Sequence, residues 1–195
     1  FNLLEEGDLQ IRGFKLRFPL DIQFVFTANP EDYTNRGSIV TPLKDRIESQ
    51  ILTHYPKTIE EAKKITSLEA KVHIEQNEKV KVLDIHKTLL ELISFEARES
   101  EYVDEKSGVS TRLSLSAYEN LLSTAERRMI LNHEKSTVTR LTDFWGVIPA
   151  ITGKVELLYE GEQEGLYNVA LSFIFGAAKK VFTSLFPNPG KKLKK

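Results

Sequence analysis

The first part of the chain has the alternating pattern of β-strands. Apolar and polar side chains alternate over residues 8–17, and Gly13 interrupts the alternation, so this stretch predicts a β-hairpin. Residues 22–28 then form a short run of apolar, β-branched and aromatic side chains, which Asn29-Pro30 ends. Such a run is typical of a strand that is buried on both faces of a parallel sheet.

Two further elements are predicted before Pro56. Residues 41–49 predict a short helix with Pro42 in its first turn, where proline is tolerated. Residues 51–55 predict one more strand, because the run is apolar and ends at Pro56.

Beyond Pro56 the apolar residues recur at helical spacing. One helix is predicted behind Asp84 as its N-cap, and a second behind Ser114 or Ser116, since Ser116 and Glu119 have capping-box spacing. Residues 141–148 and 166–185 predict two more helices. The fold class is therefore α/β followed by all-α, with one domain over residues 1–56 and a helical domain over residues 57–195.

Composition excludes several classes of function. The net charge is −1, whereas proteins that grip nucleic acid usually carry a basic excess. The chain has no cysteine, which excludes disulfides and thiolate chemistry and fits a reducing compartment. The apolar stretch over residues 169–186 contains Lys179 and Lys180 and is too short to span a bilayer. We expect a cytoplasmic protein without nucleic-acid or membrane partners.

Two segments carry a resemblance to a known family. Residues 24–37 read Phe-Val-Phe-Thr-Ala-Asn-Pro-Glu-Asp-Tyr-Thr-Asn-Arg-Gly, and residues 41–47 read Thr-Pro-Leu-Lys-Asp-Arg-Ile. This order resembles the strand, loop and helix around sensor 1 and the arginine finger in AAA+ ATPases of the magnesium-chelatase I subunit and MoxR type. Residues 107–114, Ser-Gly-Val-Ser-Thr-Arg-Leu-Ser, resemble the sensor 2 segment of the same family. Residues 3–13 resemble its hairpin, and residues 149–165 resemble a bacterial chelatase-like branch of the family. The likeness therefore covers nearly the whole chain in matching order.

The resemblance assigns roles to four polar residues. Asn29 would be sensor 1, which orients a water molecule near the γ-phosphate, and Arg112 would be sensor 2, which contacts the phosphates of its own subunit. Arg46 would be the arginine finger that reaches into a neighbour's site, with Arg36 as its rival. The residues alone leave plainer alternatives open. Asn29 can simply end a strand, and Arg46 can be a surface arginine worth at most about 1 kcal/mol in an ion pair.

The resemblance also implies the architecture and the cofactors. It implies the end of an AAA+ P-loop NTPase core, with the hairpin, the sensor 1 strand, the arginine-finger helix and the last strand, followed by a helical lid. The bound cofactors would be ATP and Mg²⁺. The phosphate-binding pattern Gly-x-x-x-x-Gly-Lys-Ser/Thr does not occur in this chain. No apolar strand pattern ends in the Asp-Glu pair that would hold Mg²⁺, because Asp104-Glu105 stands in a polar loop context, so we expect these Walker A and B segments before Phe1. This chain alone is then predicted to be inactive.

The expected function is that of a subunit in a homo-oligomeric ring, a hexamer by resemblance, which uses ATP to remodel a partner. In MoxR-like proteins the partner is usually a von Willebrand A-domain protein, and in chelatases the complex inserts Mg²⁺ into a porphyrin. The alternatives are a non-enzymatic protein-interaction module and a fragment of a sigma-54-type regulatory ATPase. No metal site is predicted, because the four histidines are widely separated, and Arg127 and Arg128 are expected to be surface or interface charges.

Overall fold

A computed structural model of the chain describes residues 8–17, 23–27, 45–104 and 108–186. The chain divides into two compact units, Phe1–His54 and Tyr55–Lys195. The first unit contains the described strands of the N-terminal region, and the second contains all the described helices.

The first unit contains the predicted hairpin. Strand β1 (Asp8–Ile11) pairs antiparallel with β2 (Phe14–Arg17), and Ile11 is opposite Phe14. The two residues of the loop, Arg12 and Gly13, have φ angles of 47° and 89°. A two-residue loop with positive φ at both positions matches the twist of the flanking strands, which is why glycine is favoured at the second of them. The hairpin prediction is confirmed.

The prediction of a buried strand over residues 22–28 is wrong for the described residues 23–27. These residues form no strand, and the side chain of Val25 is 82% exposed. A β-strand exists only through hydrogen bonds to a neighbouring strand. Within the described part of the chain, no strand pairs with residues 23–27, and all five residues are exposed.

The predicted helix over residues 41–49 is also not present in its described half. Asp45 and Arg46 form a turn, and a bend follows at Glu48. Short helices depend on tertiary packing of an apolar face, and Ile47 is only half-buried. The strand predicted over residues 51–55 is likewise absent, and Ile51 is almost fully exposed.

The second unit is helical, as predicted for the chain beyond Pro56. Its elements in chain order are α1 (Ile59–Glu69), α2 (Ile74–Lys79), β3 (Val80–Lys81), α3 (Asp84–Arg98), α4 (Leu113–Leu131), β4 (Thr137–Val138), a 3₁₀ helix η1 (Leu141–Val147), α5 (Ile148–Thr152), α6 (Tyr159–Glu164) and α7 (Leu166–Leu185). The short parallel pair between β3 and β4 was not predicted. The last helix has the predicted bounds.

The core of the second unit lies between α3, α4 and α7. Helix α3 packs along α7, and α4 packs against η1 and α5. Leu90 and Ile93 of α3 meet Leu113 and Leu121 of α4 in one cluster with Val169 of α7. Burial of apolar surface at about 25 cal/mol per Å² is what holds these helices together.

The predicted helix starts differ from the observed ones by one or a few residues. Asp84 is the first residue of α3 rather than its N-cap, and its carboxylate lies 2.7 Å from Nζ of Lys63. Helix α4 begins at Leu113, before Ser114 and Ser116, with Arg112 at the N-cap position. The pattern missed this start because Leu113 is buried in the core, while the hydroxyl of Ser114 bonds a buried carboxylate instead of capping the helix.

Arg128 is not a surface charge, which corrects the prediction, although Arg127 is exposed. The Nε and Nη2 atoms of Arg128 each donate to a carboxylate oxygen of buried Asp143 at 2.9 Å. Its Nη1 atom donates to Oγ1 of Thr137 at 3.0 Å. Two-point pairing of this kind is among the stronger polar contacts in proteins. It ties the C-terminal half of α4 to the start of η1.

No helix within the described residues is long and apolar enough to cross a membrane.

We predict that Leu121→Ala lowers the free energy of unfolding of the helical unit by about 2–5 kcal/mol. Leu121 is fully buried in α4, so truncation removes apolar contacts and leaves a cavity. Urea unfolding followed by circular dichroism would measure the loss. Leu131→Ala, at the exposed end of the same helix, serves as the matched control and should change stability by less than about 0.5 kcal/mol. Equal losses for both variants would contradict this core.

Candidate functional site at the start of helix α4

Arg112 occupies the N-cap position of α4 and is exposed. No side chain caps this helix, and its first turn contains no acidic residue. The first N–H groups of a helix and its dipole favour an anion at that end. An exposed guanidinium beside such a helix end combines two features that suit a phosphate group.

The loop before α4 is fixed by pairing with a second segment. The N–H of Ser110 donates to the carbonyl of Lys154 at 2.9 Å, and the N–H of Glu156 donates to the carbonyl of Gly108 at 2.8 Å. The Ser110 hydroxyl accepts a bond from the N–H of Arg112 at 3.2 Å. The backbone of Arg112 is therefore held in place, whereas its side chain is exposed.

Gly108 allows the close approach that this loop needs. Its N–H donates to the carbonyl of Asp104 at 2.9 Å. A Cβ atom at this position would lie 2.6 Å from the backbone nitrogen of Asp104, which is closer than real Cβ atoms come to backbone. A larger residue would therefore displace the loop that carries Arg112.

Tyr55 contacts the same loop through a hydrogen bond, and Arg98 packs on the ring of Tyr55. The Tyr55 hydroxyl donates to the carbonyl of Val109 at 2.5 Å. The guanidinium of Arg98 lies 4.1 Å from the centroid of the Tyr55 ring and 5.3 Å from that of Phe95. Burial lowers the pKa of Arg98, while Tyr55 and Glu91 act in the opposite direction. The aromatic faces thus stabilise a cation that is partly removed from water.

A buried carboxylate fixes the first turn of α4. Glu91 of α3 is 2% exposed and accepts bonds from the hydroxyls of Thr66 at 2.6 Å and Ser114 at 2.7 Å. Ser94 shares a further hydroxyl contact with Ser114 at 2.7 Å. Burial raises the pKa of Glu91, and the bonds from Thr66 and Ser114 offset only part of that rise. The cluster joins α1, α3 and α4 two residues after Arg112.

The described residues include two of the four predicted site residues. Arg112 stands immediately before a helix, as predicted. Arg46 is half-buried in a turn of the first unit, whereas a helix had been predicted there. Asn29 and Arg36 lie outside the described residues. The convergence of Asn29, Arg46 and Arg112 on one nucleotide stays a prediction.

Sequence analysis missed Glu91, Ser94 and Arg98 as members of this site. The sequence does contain a sign of their shared role, because the three residues are spaced at i, i+3 and i+7 and therefore lie on one face of α3. A polar stripe on a helix with an otherwise apolar core face indicates buried hydrogen bonding. The partners Thr66 and Ser114 are distant in sequence and could be identified only from the fold.

No group of three or more metal-ligating side chains is found among the described residues. Glu160, Glu162 and Glu164 are exposed on α6. His86 is buried: its Nδ1 atom lies 2.7 Å from Oγ1 of Thr139, and its ring packs edge-on against Phe144. It is therefore a packing residue.

Comparison with models of protein families, with curated proteins and with solved structures gives no match to this chain. The argument for function therefore rests on the residues of the site and on the motif resemblance in the sequence.

We predict that Glu91→Gln removes a fall in stability with rising pH. A carboxyl whose folded-state pKa is raised keeps its proton in the folded state at pH values where the unfolded state has lost it. Stability therefore falls from about pH 4.5 up to the folded-state pKa, by at most about 1.4 kcal/mol per pH unit. Urea unfolding from pH 4 to 8 would measure the slope. Glu78→Gln, an exposed change on α2, should keep the wild-type slope, and an unchanged slope in Glu91→Gln would contradict the prediction.

Proposed function

We propose that the helical unit is the nucleotide-responsive lid of a ring-forming AAA+ ATPase of the magnesium-chelatase and MoxR type. The observation that supports it is the exposed Arg112 at the start of α4, on a loop whose backbone is fixed on both sides. The matching order of the sensor 1, arginine-finger and sensor 2 motifs supports it independently.

The residues present suit the phosphates of ATP. Arg112 is always charged and has donors that can grip phosphate oxygens at two points. The start of α4 adds N–H groups and has no acidic side chain in its first turn that would repel an anion. ATP with Mg²⁺ would supply the phosphoryl group, and the proposal assigns the main ligands of both to sequence before Phe1.

A rigid lid explains how such a contact would be transmitted. The Glu91 cluster at one end of α4 and the Arg128–Asp143 pair near the other bind this helix to α1, α3 and η1. When Arg112 gains or loses a phosphate contact, the whole helical unit would turn with it. We propose that the subunits form a homo-oligomeric ring, a hexamer by resemblance. In such a ring the rotation would be transmitted to a partner that is remodelled, such as a von Willebrand A-domain protein. We propose remodelling ahead of metal insertion, because no porphyrin site was recognised in the sequence.

One observation favours a second candidate, a non-enzymatic interaction module. Helix α7 carries an exposed aromatic face that includes Phe175 and Phe182. The native sequence before Phe1 separates the two candidates: a Gly-x-x-x-x-Gly-Lys-Ser/Thr pattern after a predicted strand would support the ATPase, and its absence would favour the module.

We predict that Arg112→Ala, in the intact protein with the phosphate-binding loop, lowers kcat/KM for ATP by about 10- to 100-fold. The substitution removes hydrogen bonds between charged groups, which contribute about 1.5–3 kcal/mol. A loss of that size corresponds to the stated fall in kcat/KM. Steady-state ATPase assays would measure it. Arg127→Ala removes an exposed arginine from the same helix and should stay within about twofold of wild type. If both variants kept wild-type activity, Arg112 would not be a phosphate contact.

We predict further that Arg46→Ala lowers kcat of the assembled ring by about 10³-fold or more, because a finger stabilises charge that develops on the transferred phosphoryl group. Arg36→Ala tests the rival. Mixed rings separate the roles, since a finger in trans is restored by wild-type neighbours, whereas a residue needed within its own subunit is not. Wild-type rates in Arg46→Ala and loss in Arg36→Ala would transfer the assignment to Arg36.

A further inference from the structure

Helix α7 has two apolar faces, and the described chain covers one of them fully and the other only in part, since Leu171 and Ala178 are half-buried against the core. Val169, Ala170, Phe173 and Ala177 are buried against the core. A second face, which we call the outer face, consists of Tyr167, Leu171, Phe175, Ala178, Phe182 and the adjoining Phe186. Phe175 is 61% exposed, and Tyr167, Phe182 and Phe186 are exposed as well. Exposed aromatic faces of this length mark interaction surfaces.

A hollow in the outer face is large enough for an aromatic ring. The cavity measures about 230 Å³ and lies between α7 and η1. Its lining is almost entirely apolar and includes Leu141, Phe144, Trp145, Ile174, Phe175 and Ala178. An apolar cavity of roughly 150 Å³ is already sufficient to bind benzene. A phenylalanine ring is therefore a suitable occupant.

We propose that the outer face binds the outer face of a second copy of this chain, with the two α7 helices antiparallel. Successive outer-face residues are 4, 4, 3, 4 and 4 positions apart, a spacing that reads the same in both directions. In the antiparallel register Phe175 is opposite Ala178 of the second copy, Leu171 is opposite its Phe182, and Tyr167 is opposite its Phe186. The central pairs then match a large side chain with a small one.

This register also fills the hollow. Ala178 lines the cavity, so Phe175 of the second copy lies where its ring can enter it. The arrangement is isologous, and the same insertion happens twice across a two-fold axis. In a parallel pairing each Phe175, which also lines the cavity, would be opposite another Phe175, so two large side chains would meet where the antiparallel register pairs a large one with a small one.

The charges at the two ends of α7 favour the antiparallel direction. Exposed Glu160, Glu162 and Glu164 precede the helix on α6. Exposed Lys179 lies in the second half of the helix, next to Lys180, which pairs with Glu96 and Glu99 of the same chain. The sequence after the helix is rich in lysine. Antiparallel pairing brings the acidic end of one copy towards the basic end of the other, whereas parallel pairing brings like charges together.

Sedimentation equilibrium of the 195-residue chain tests the assembly. We expect the wild-type chain to form a dimer. In Phe175→Glu the dissociation constant of this dimer should rise at least about tenfold, because the ring that the dimer interface would bury is replaced by a charge. Leu68→Glu, at an 82% exposed leucine on α1, is the matched control and should leave the dimer unchanged. Circular dichroism would check that both variants fold. A wild-type chain that stays monomeric at millimolar concentration would overturn the proposal, as would a dimer that Phe175→Glu does not weaken.

Cross-linking tests the direction, because the chain has no cysteine of its own. A mixture of Tyr167→Cys and Phe186→Cys chains should form the mixed disulfide under mild oxidation in preference to either like pair. Leu68→Cys should give only background cross-linking. Preference for the Tyr167→Cys like pair would overturn the antiparallel register. Neither experiment involves nucleotide, so its failure would leave the proposed ATPase function untouched.

Discussion

The hydrogen bond from the Ser114 hydroxyl to the buried Glu91 carboxylate determines where α4 begins, and the candidate site depends on that point. A buried carboxylate is costly unless its oxygens are bonded, and Thr66 and Ser114 bond one oxygen each. Because the bonds come from α1 and α4, the carboxylate is stable only when both helices are docked on α3. The cluster therefore forms only when all three helices are packed together. It also helps to position Arg112, which lies two residues before Ser114.

The far half of α4 is fixed by a different kind of contact. Burial alone would raise the pKa of Asp143, but bonds from Arg128 and from the N–H of Arg140 outweigh it and hold this pKa below its ordinary value. Such a pair contributes stability above the ordinary pKa of aspartate and loses it as the pH falls through the folded-state value. The two ends of α4 thus respond to pH in opposite directions, since a charged Glu91 is disfavoured by the fold and a charged Asp143 is favoured. A helix held in this way at both ends is tied to α1, α3 and η1, which is the property that the proposed lid requires.

Elements that depend on interactions between residues close in sequence were predicted correctly, and those that depend on distant residues were not. The hairpin depends on a two-residue loop and the helix over residues 166–185 on its own apolar pattern, and both were predicted with their observed bounds or close to them. The capping box of α1, in which Thr58 and Glu61 bond each other's backbone N–H groups, was visible in the sequence and overlooked. Residues 22–28 and 51–55 were predicted as strands from their short apolar runs. A strand is defined by its partner, however, and within the described part of the chain none pairs with residues 23–27 or 51–55. Glu91 and Arg128 were missed because their partners are far away along the chain.

Helix α7 shows why apolar periodicity cannot by itself identify a core. The pattern over residues 166–185 predicts a helix that faces the interior, and one face does so against α3. The same spacing continues onto the outer face. An apolar helix face repeats every three or four residues whether it packs on the core or on a separate partner. The polar strip that remains, with Ser172, Lys179 and Thr183, is narrow for a helix at the surface of a single unit. A helix with two apolar faces needs two neighbours, and its sequence alone specifies neither of them. Here the large-to-small match of Phe175 with Ala178 makes the outer face complementary to itself.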